Sequence, residues 1–281
     1  MKVLPFNIPK PEQDAFVYQV DYVPAFYDKL HEHEEIQISI ILEGDGTLVV
    51  GDSVNFYTKN DILVLDSHMP HVFKSDVEAS NKSHMLSMFF TKESFGTDFF
   101  NLEELHELQP FFKRSKHGFK VTSNENAIKK LFLQLELASK LERFIILLQL
   151  LKITSKADFE SLSSFIYDKK YSDNEGKRMR HVLAYTMNQF TTDITLDAVA
   201  EVSNMTKNAF CKYFKKRTNK TYFQFLSELR IENACRLMQT QTDLSISEIA
   251  YQSGFNNISN FNRQFKTIKG ITPNSYRKSP N

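Results

Sequence analysis

Two groups of residues in this 281-residue chain have the types and spacing for chemistry. The first lies near the C-terminus, where Ser259, Asn260 and Arg263 follow Asn208, Cys211 and Lys212 at an interval of about fifty residues. In the major groove of DNA, Arg pairs bidentately with guanine and Asn with adenine; Cys211 is a weak hydrogen-bonder and reads as a small contact residue. Around these six, Lys207, Lys215, Lys216, Arg217, Lys266 and Lys269 suit phosphates. The second group lies near the N-terminus. His31 and His33 are one residue apart on an extended segment, so both imidazoles point to one face, and His71 lies further on. Three imidazoles suit a transition metal or the wall of a small-molecule pocket, which Phe56, Phe73, Met88 and Phe90 are expected to line with them.

The outward C-terminal residues need helices to carry them, and the sequence supplies these twice. Thr195-Leu196-x-x-Val199-Ala200-x-x-Ser203-Asn204-Met205 matches Ser245-Ile246-x-x-Ile249-Ala250-x-x-Ser253-Gly254-Phe255. One inserted residue later, Phe210-x-x-x-Phe214-Lys215 matches Phe261-x-x-x-Phe265-Lys266, and Thr221 and Phe225 match Thr272 and Tyr276. Thr195 and Ser245 are N-caps, and Glu248 completes a capping box. Asn204 and Gly254 tolerate the left-handed backbone of a sharp turn. Phenylalanines four apart then face inward along a second helix. Helix, tight turn, helix is the reading of both copies, over about 195–218 and 245–269.

Charge agrees. Of 35 Lys+Arg and 34 Asp+Glu, residues 177–281 hold 16 and 7, leaving 19 and 27 to residues 1–176. A basic C-terminal half on an acidic body points to a polyanion, DNA above all. Two cysteines without a wider framework suit a reducing compartment, and no apolar leader opens the chain. Leu141–Ile153, the most apolar stretch, is too short and too charged to cross a bilayer. A cytoplasmic protein without a membrane partner is expected.

The first 120 residues read as short strands at Phe16–Val23, Glu35–Leu42, Thr47–Val50, Val54–Thr58, Ile62–Asp66, His71–Lys74 and Met85–Thr91, separated by turn signals such as Glu43-Gly44-Asp45-Gly46. The helical period takes over from Asn124 to Ser139, and continues through Phe144–Ile153 and Phe159–Tyr167. The middle one of these is apolar nearly all round, which predicts burial on every side and favours a dimer interface. The expected class is α+β with two domains: a barrel over 1–122, a helical dimerisation segment over 123–167, a polar linker over 168–177 and an all-α DNA-binding domain over 178–281.

Residues 178–281 resemble the DNA-binding domain of the AraC/XylS family of transcription regulators. The resemblance rests on Ile249-Ala250, Gly254-Phe255, Phe261-x-x-x-Phe265-Lys266, Gly270-x-Thr272-Pro273 and Tyr276-Arg277, and in the first copy on Met205-Thr206, Phe210, Phe214-Lys215, Arg230-Ile231 and Ala234. It implies seven helices, one of them over about Tyr222–Gln239 joining the two units and holding both recognition helices on one face of the duplex, about 34 Å apart. Two positions depart from the family pattern. Asn219 stands where Gly is usual. Lys212 stands where Arg is common and lacks its fork, so the first unit should read bases less sharply. The segments His31–Gly46 and Asp61–His71 resemble the two motifs of the cupin jelly-roll barrel that such regulators commonly carry. Metal-binding cupins place a glutamate four or five residues after the second His, where this chain has Gln37 and Ile38. No metal or other cofactor is therefore expected, and the barrel is expected to serve a small effector. The resemblance also implies a homodimer, double-stranded DNA and RNA polymerase as partners, and activation as the outcome. The alternatives are a metal-dependent cupin enzyme fused to a DNA-binding domain, which the absent glutamate argues against, and a nonspecific architectural DNA protein, whose binding would fall steeply with salt.

Overall fold

The computed structural model describes residues 4–5, 8–9, 14–76, 82–164 and 173–278. The chain forms two compact units, a β-rich N-terminal one and a helical C-terminal one.

In the β unit, β1 (Leu4–Pro5), β3 (His31–Glu32), β8 (His71–Ser75), β5 (Gly46–Val50) and β6 (Ser53–Tyr57) form one sheet in that order. A second sheet has the order β11 (Phe159–Ser161), β10 (Phe119–Val121), β7 (Ile62–Leu65), β4 (Ile36–Glu43), β9 (Ser83–Phe90) and β2 (Val17–Val23). The second sheet is antiparallel throughout. Its central strands are buried on both faces, and β4 shows how one sequence serves two cores. Ile36, Ile38 and Ile40 face a cluster shared with α1 (Gln109–Ser115), α2 (Glu125–Gln134) and α3 (Lys140–Lys156). Gln37, Ser39 and Ile41 alternate with them toward the space between the sheets, where Ile41 packs with Leu48, Tyr57, Phe73 and Met85. Each fully buried isoleucine stabilises the fold by about 2 kcal/mol.

The seven expected strands are all present to within a residue or two at their ends. The readings from residue 159 onward need two corrections, at Phe159–Ser161 and at residues 173–177. Phe159–Ser161 is a strand: α3 ends where Ala157 turns extended, at ψ 154°, and Phe159 then pairs with Val121. Residues 165–167 of that expected helix lie outside the described residues. Within a single chain, helix α3 is buried on one side only. Ile146, Leu147, Leu150 and Leu151 are buried, but Leu141 is 67% exposed and Ile145 46%, because the sheet covers only one side of the helix. Residues 173–177 are the first turn of α4 (Asp173–Gln189) and not linker; Met179, Val182, Leu183 and Met187 anchor that helix, and the polar turn extends it. The remainder of the linker reading, 168–172, lies outside the described residues.

Among the described residues the helical unit has seven helices: α4, α5 (Leu196–Val202), α6 (Lys207–Thr218), α7 (Tyr222–Thr240), α8 (Ile246–Gln252), α9 (Ile258–Lys269) and α10 (Pro273–Lys278). Every helix from α5 to α9 starts on a side-chain cap. Thr221 with Gln224 and Ser245 with Glu248 form full capping boxes. Helix α7, about 28 Å long for its nineteen residues, is the shared spine. Its Ile231, Ala234, Leu237 and Met238 pack with Ile249, Phe261 and Phe265 of the second copy.

Candidate DNA-binding face and barrel cavity

The two copies each fold as helix, turn, helix: α5 to α6 and α8 to α9. The turns take the left-handed backbone at the expected positions, with φ 52° at Asn204 and 87° at Gly254. They differ in room. A Cβ on Gly254 would lie 2.5 Å from the Phe190 carbonyl oxygen, whereas Asn204 is exposed. Asn219 caps α6 in the left-handed region at φ 54°, doing there what Gly270 does for α9 at φ 75°.

Phe210 and Phe214, like Phe261 and Phe265, are fully buried, so the opposite face of each second helix meets solvent. Asn208, Cys211 and Lys212 are exposed on α6, in a stripe that Lys215 continues. On α9, Ser259, Asn260, Arg263 and Lys266 are exposed. The Arg263 guanidinium donates to the Asn260 side-chain oxygen at 2.9 Å, which orients both. Lys216 is also exposed, Arg217 is half-buried, and Lys207 lies 2.8 Å from the Asp197 carboxylate. Lys269 differs from the phosphate role expected of it. It is half-buried and held in an ion pair by Glu232 of α7, so it braces α9 against the spine. Asn262 is a further candidate that the sequence reading missed. It is exposed, and the 51-residue offset that matches Phe210 to Phe261 matches Cys211 to Asn262, so the repeat itself marks the position. An asparagine there can pair bidentately with adenine, which Cys211 cannot do.

The β unit holds a half-open cavity of about 300 Å³. His31, His33, His71 and Phe73 line it as expected, together with Gln37, Met85 and Phe89. His31 and His71 are register partners on β3 and β8, which brings their ring centroids to 4.2 Å; His33 and His71 are at 5.1 Å. Met88 and Phe90 do not line it. They lie one residue out of phase, on the face of β9 that packs against the helices, while Met85 and Phe89 face the cavity. Phe56 fails for the same reason: its neighbour Tyr57 is the residue of β6 that packs in the barrel core.

Each of the three imidazoles meets a backbone carbonyl through Nδ1: His31 that of Lys29 at 2.9 Å, His33 that of Glu35 at 2.8 Å and His71 that of Met69 at 2.8 Å. A carbonyl only accepts, so Nδ1 carries a proton in each, and in a neutral ring Nε2 then holds the lone pair. Burial pushes His33 down to about 4, against hydrogen bonds to Gln37 and Glu35 that favour its charged form. Burial, and then the neighbouring His31 and His33, hold His71 well below the usual histidine range. The imidazoles of His33 and His71 are therefore neutral at physiological pH. Gln37 occupies the place of the cupin carboxylate, 3.2 Å from His33 Nε2, and among the described residues no group of three or more His, Cys, Asp or Glu is disposed to hold a metal ion. Nor is any helix among them long and apolar enough to cross a membrane.

Tandem helix-turn-helix units with exposed polar recognition helices, preceded by a β unit with a built cavity, define a DNA-binding transcription regulator. The comparisons with known proteins agree. The AraC-like ligand binding domain matches residues 15–138, and a helix-turn-helix domain matches residues 199–279. The chain is 24% identical over 265 residues to the uncharacterized HTH-type transcriptional regulator YdeC of Bacillus subtilis, covering 90% of this chain and 87% of that one. It is 22% identical over 259 residues to the HTH-type transcriptional activator RhaS of Escherichia coli, covering 88% and 87%. Among solved structures, ToxT of Vibrio cholerae aligns with 94% of this chain and 97% of its own at 16% identity, with a TM-score of 0.37. The chain belongs to the AraC family of transcription regulators.

Proposed function

We propose that this regulator reads its operator through α6 and α9 and that the cavity of its β unit takes the effector. The observation that carries the reading is the matched pair of exposed stripes: Asn208, Cys211 and Lys212 on one helix, Ser259, Asn260, Asn262 and Arg263 on the other. Arg263, oriented by Asn260, is the strongest base reader, and Lys207, Lys215, Lys216, Arg217 and Lys266 hold phosphates. The protein acts in the cytoplasm as a homodimer and activates transcription through RNA polymerase. Activation and the polymerase contact rest on the family resemblance and on the activator named among the relatives. Dimerisation rests on an apolar edge, where Leu133, Leu137, Leu141 and Ile145 are exposed on and between α2 and α3, Leu137 to 94%. Monomers rarely leave such side chains together in water. The metal-dependent enzyme is not our reading, since an amide stands where a metal site needs a carboxylate.

The test is selection of binding sites from a random DNA library by the full-length protein and by its Arg263→Ala variant. The wild type should enrich a two-part motif, and the variant should lose preference at one base pair of one part. If the variant enriches the same motif undiminished, α9 does not read through Arg263. A Leu137→Glu, Leu141→Glu double variant should elute as a monomer where the wild type elutes as a dimer.

A further inference from the structure

The three imidazoles of the cavity differ in what already satisfies them. At His33, Nε2 faces the Gln37 amide, which can turn its NH2 toward the ring, because its other neighbour, the Ser39 hydroxyl 2.7 Å away, donates as readily as it accepts. His71 has no such neighbour among the described residues. Its Nδ1 is spent on the Met69 carbonyl, the residue is 1% exposed, and Nε2 is buried without a hydrogen-bond partner among them, in a side chain that lines the cavity. A buried acceptor of this kind is a rarity that calls for a donor. The rest of the wall is largely apolar, with Phe73, Met85 and Phe89 close by, and the described residues lining the cavity include one carboxylate, Asp21, but no Lys or Arg.

We infer that the cavity takes a mainly apolar organic molecule without a negative charge, of about a dozen non-hydrogen atoms, which donates an O–H or N–H to His71 Nε2. The size follows from a volume of about 300 Å³, twice the about 150 Å³ that accepts a benzene ring. The absence of a negative charge follows from the wall. A carboxylate would enter without a cation to meet it and would bring an acceptor to an acceptor. The imidazoles of His33 and His71, held neutral by burial, do not become that cation. The flat aromatic surfaces beside His71 favour a phenol over a polyol. This inference rests on the reading of the cavity as the effector site.

Three probes with one tail separate the two claims: 4-propylphenol, 4-propylanisole and 4-propylbenzoate, titrated against the full-length protein at pH 7.5 by ligand-observed NMR. The phenol should bind about tenfold more tightly than the anisole, which fills the same space without a donor, and the benzoate should bind most weakly. In the His71→Phe variant the phenol should lose that advantage while the anisole keeps its affinity. If that variant does not fold, the wild-type series decides alone. Equal binding of phenol and anisole, or tighter binding of benzoate, would overturn the inference and leave the cavity as an effector site. Stoichiometric Zn²⁺ that displaces the phenol would also overturn it, by assigning the imidazoles to a metal. No binding by any probe would remove the effector site itself.

Discussion

The β unit turns its polar residues inward and the helical unit turns them outward, and each arrangement makes different demands on the sequence. In the β unit, His33, Gln37, Ser39 and His71 are buried between sheets, so their protonation and hydrogen bonding are tied to folding. In the helical unit, Asn260 and Arg263 stand in solvent on a helix whose other side is buried phenylalanine, so they can change without disturbing the core. Folding and recognition are thus coupled in one unit and separable in the other.

Acid should expose this difference most strongly. The unfolded chain takes up a proton on His33 near pH 6.5, and the folded β unit refuses it until about pH 4. Stability is therefore full above pH 6.5 and falls as pH drops through that window, by about 3 kcal/mol for His33, with His71 adding to the loss. The one histidine of the helical unit, His181, is exposed. Urea unfolding from pH 7.5 to pH 4.5, followed by probes in each unit, should show the β transition moving and the helical one holding. Parallel movement of both would break the comparison. A comparable effect is expected at Gly254, the place where the helical unit does turn inward. Gly254→Ala meets the Phe190 carbonyl at 2.5 Å with φ 87°, and should cost about 3 kcal/mol by chemical denaturation, whereas Asn204→Ala at the exposed matching turn should cost about 1 kcal/mol.

Outward residues should move binding without moving stability. Arg263→Ala should keep its unfolding midpoint and weaken operator binding by about 1–3 kcal/mol, with relaxed preference at one base pair. A shift in midpoint would show that Arg263 is structural. Lys212→Ala should do least, weakening operator binding with a smaller loss of preference at one base pair than Arg263→Ala shows, since a lysine reads bases without the arginine fork. A loss of sequence preference equal to that of Arg263→Ala would make the two units equivalent readers.

The same contrast governs how much the sequence disclosed. Helical stripes were legible because inward phenylalanines and outward polar residues alternate unambiguously, and because a second copy checks the first. Asn262 shows that check applied too narrowly, since its partner Cys211 was already in view. The strands were legible as strands, but β9 is buried on both faces, so its alternation does not say which side holds the cavity, and Met88 and Phe90 stood in for Met85 and Phe89. Strands of three residues such as β10 and β11 carry no period at all, and Phe159 therefore passed for helix. The orphaned Nε2 of His71 depends on the Met69 carbonyl and on the register of β3 against β8, neither of which a sequence pattern displays.

The hydrogen bond from Arg263 to Asn260 bears on how operators of this regulator can evolve. A substitution at either residue frees the other, so on the proposed reading one mutation should blur the reading of a base before any second one can sharpen it for a new base. Operators read by α9 should then change through a broad-specificity intermediate. On the same reading, the part of the operator under α6, where the exposed Lys212 makes no such bond among the described residues, should drift one base at a time.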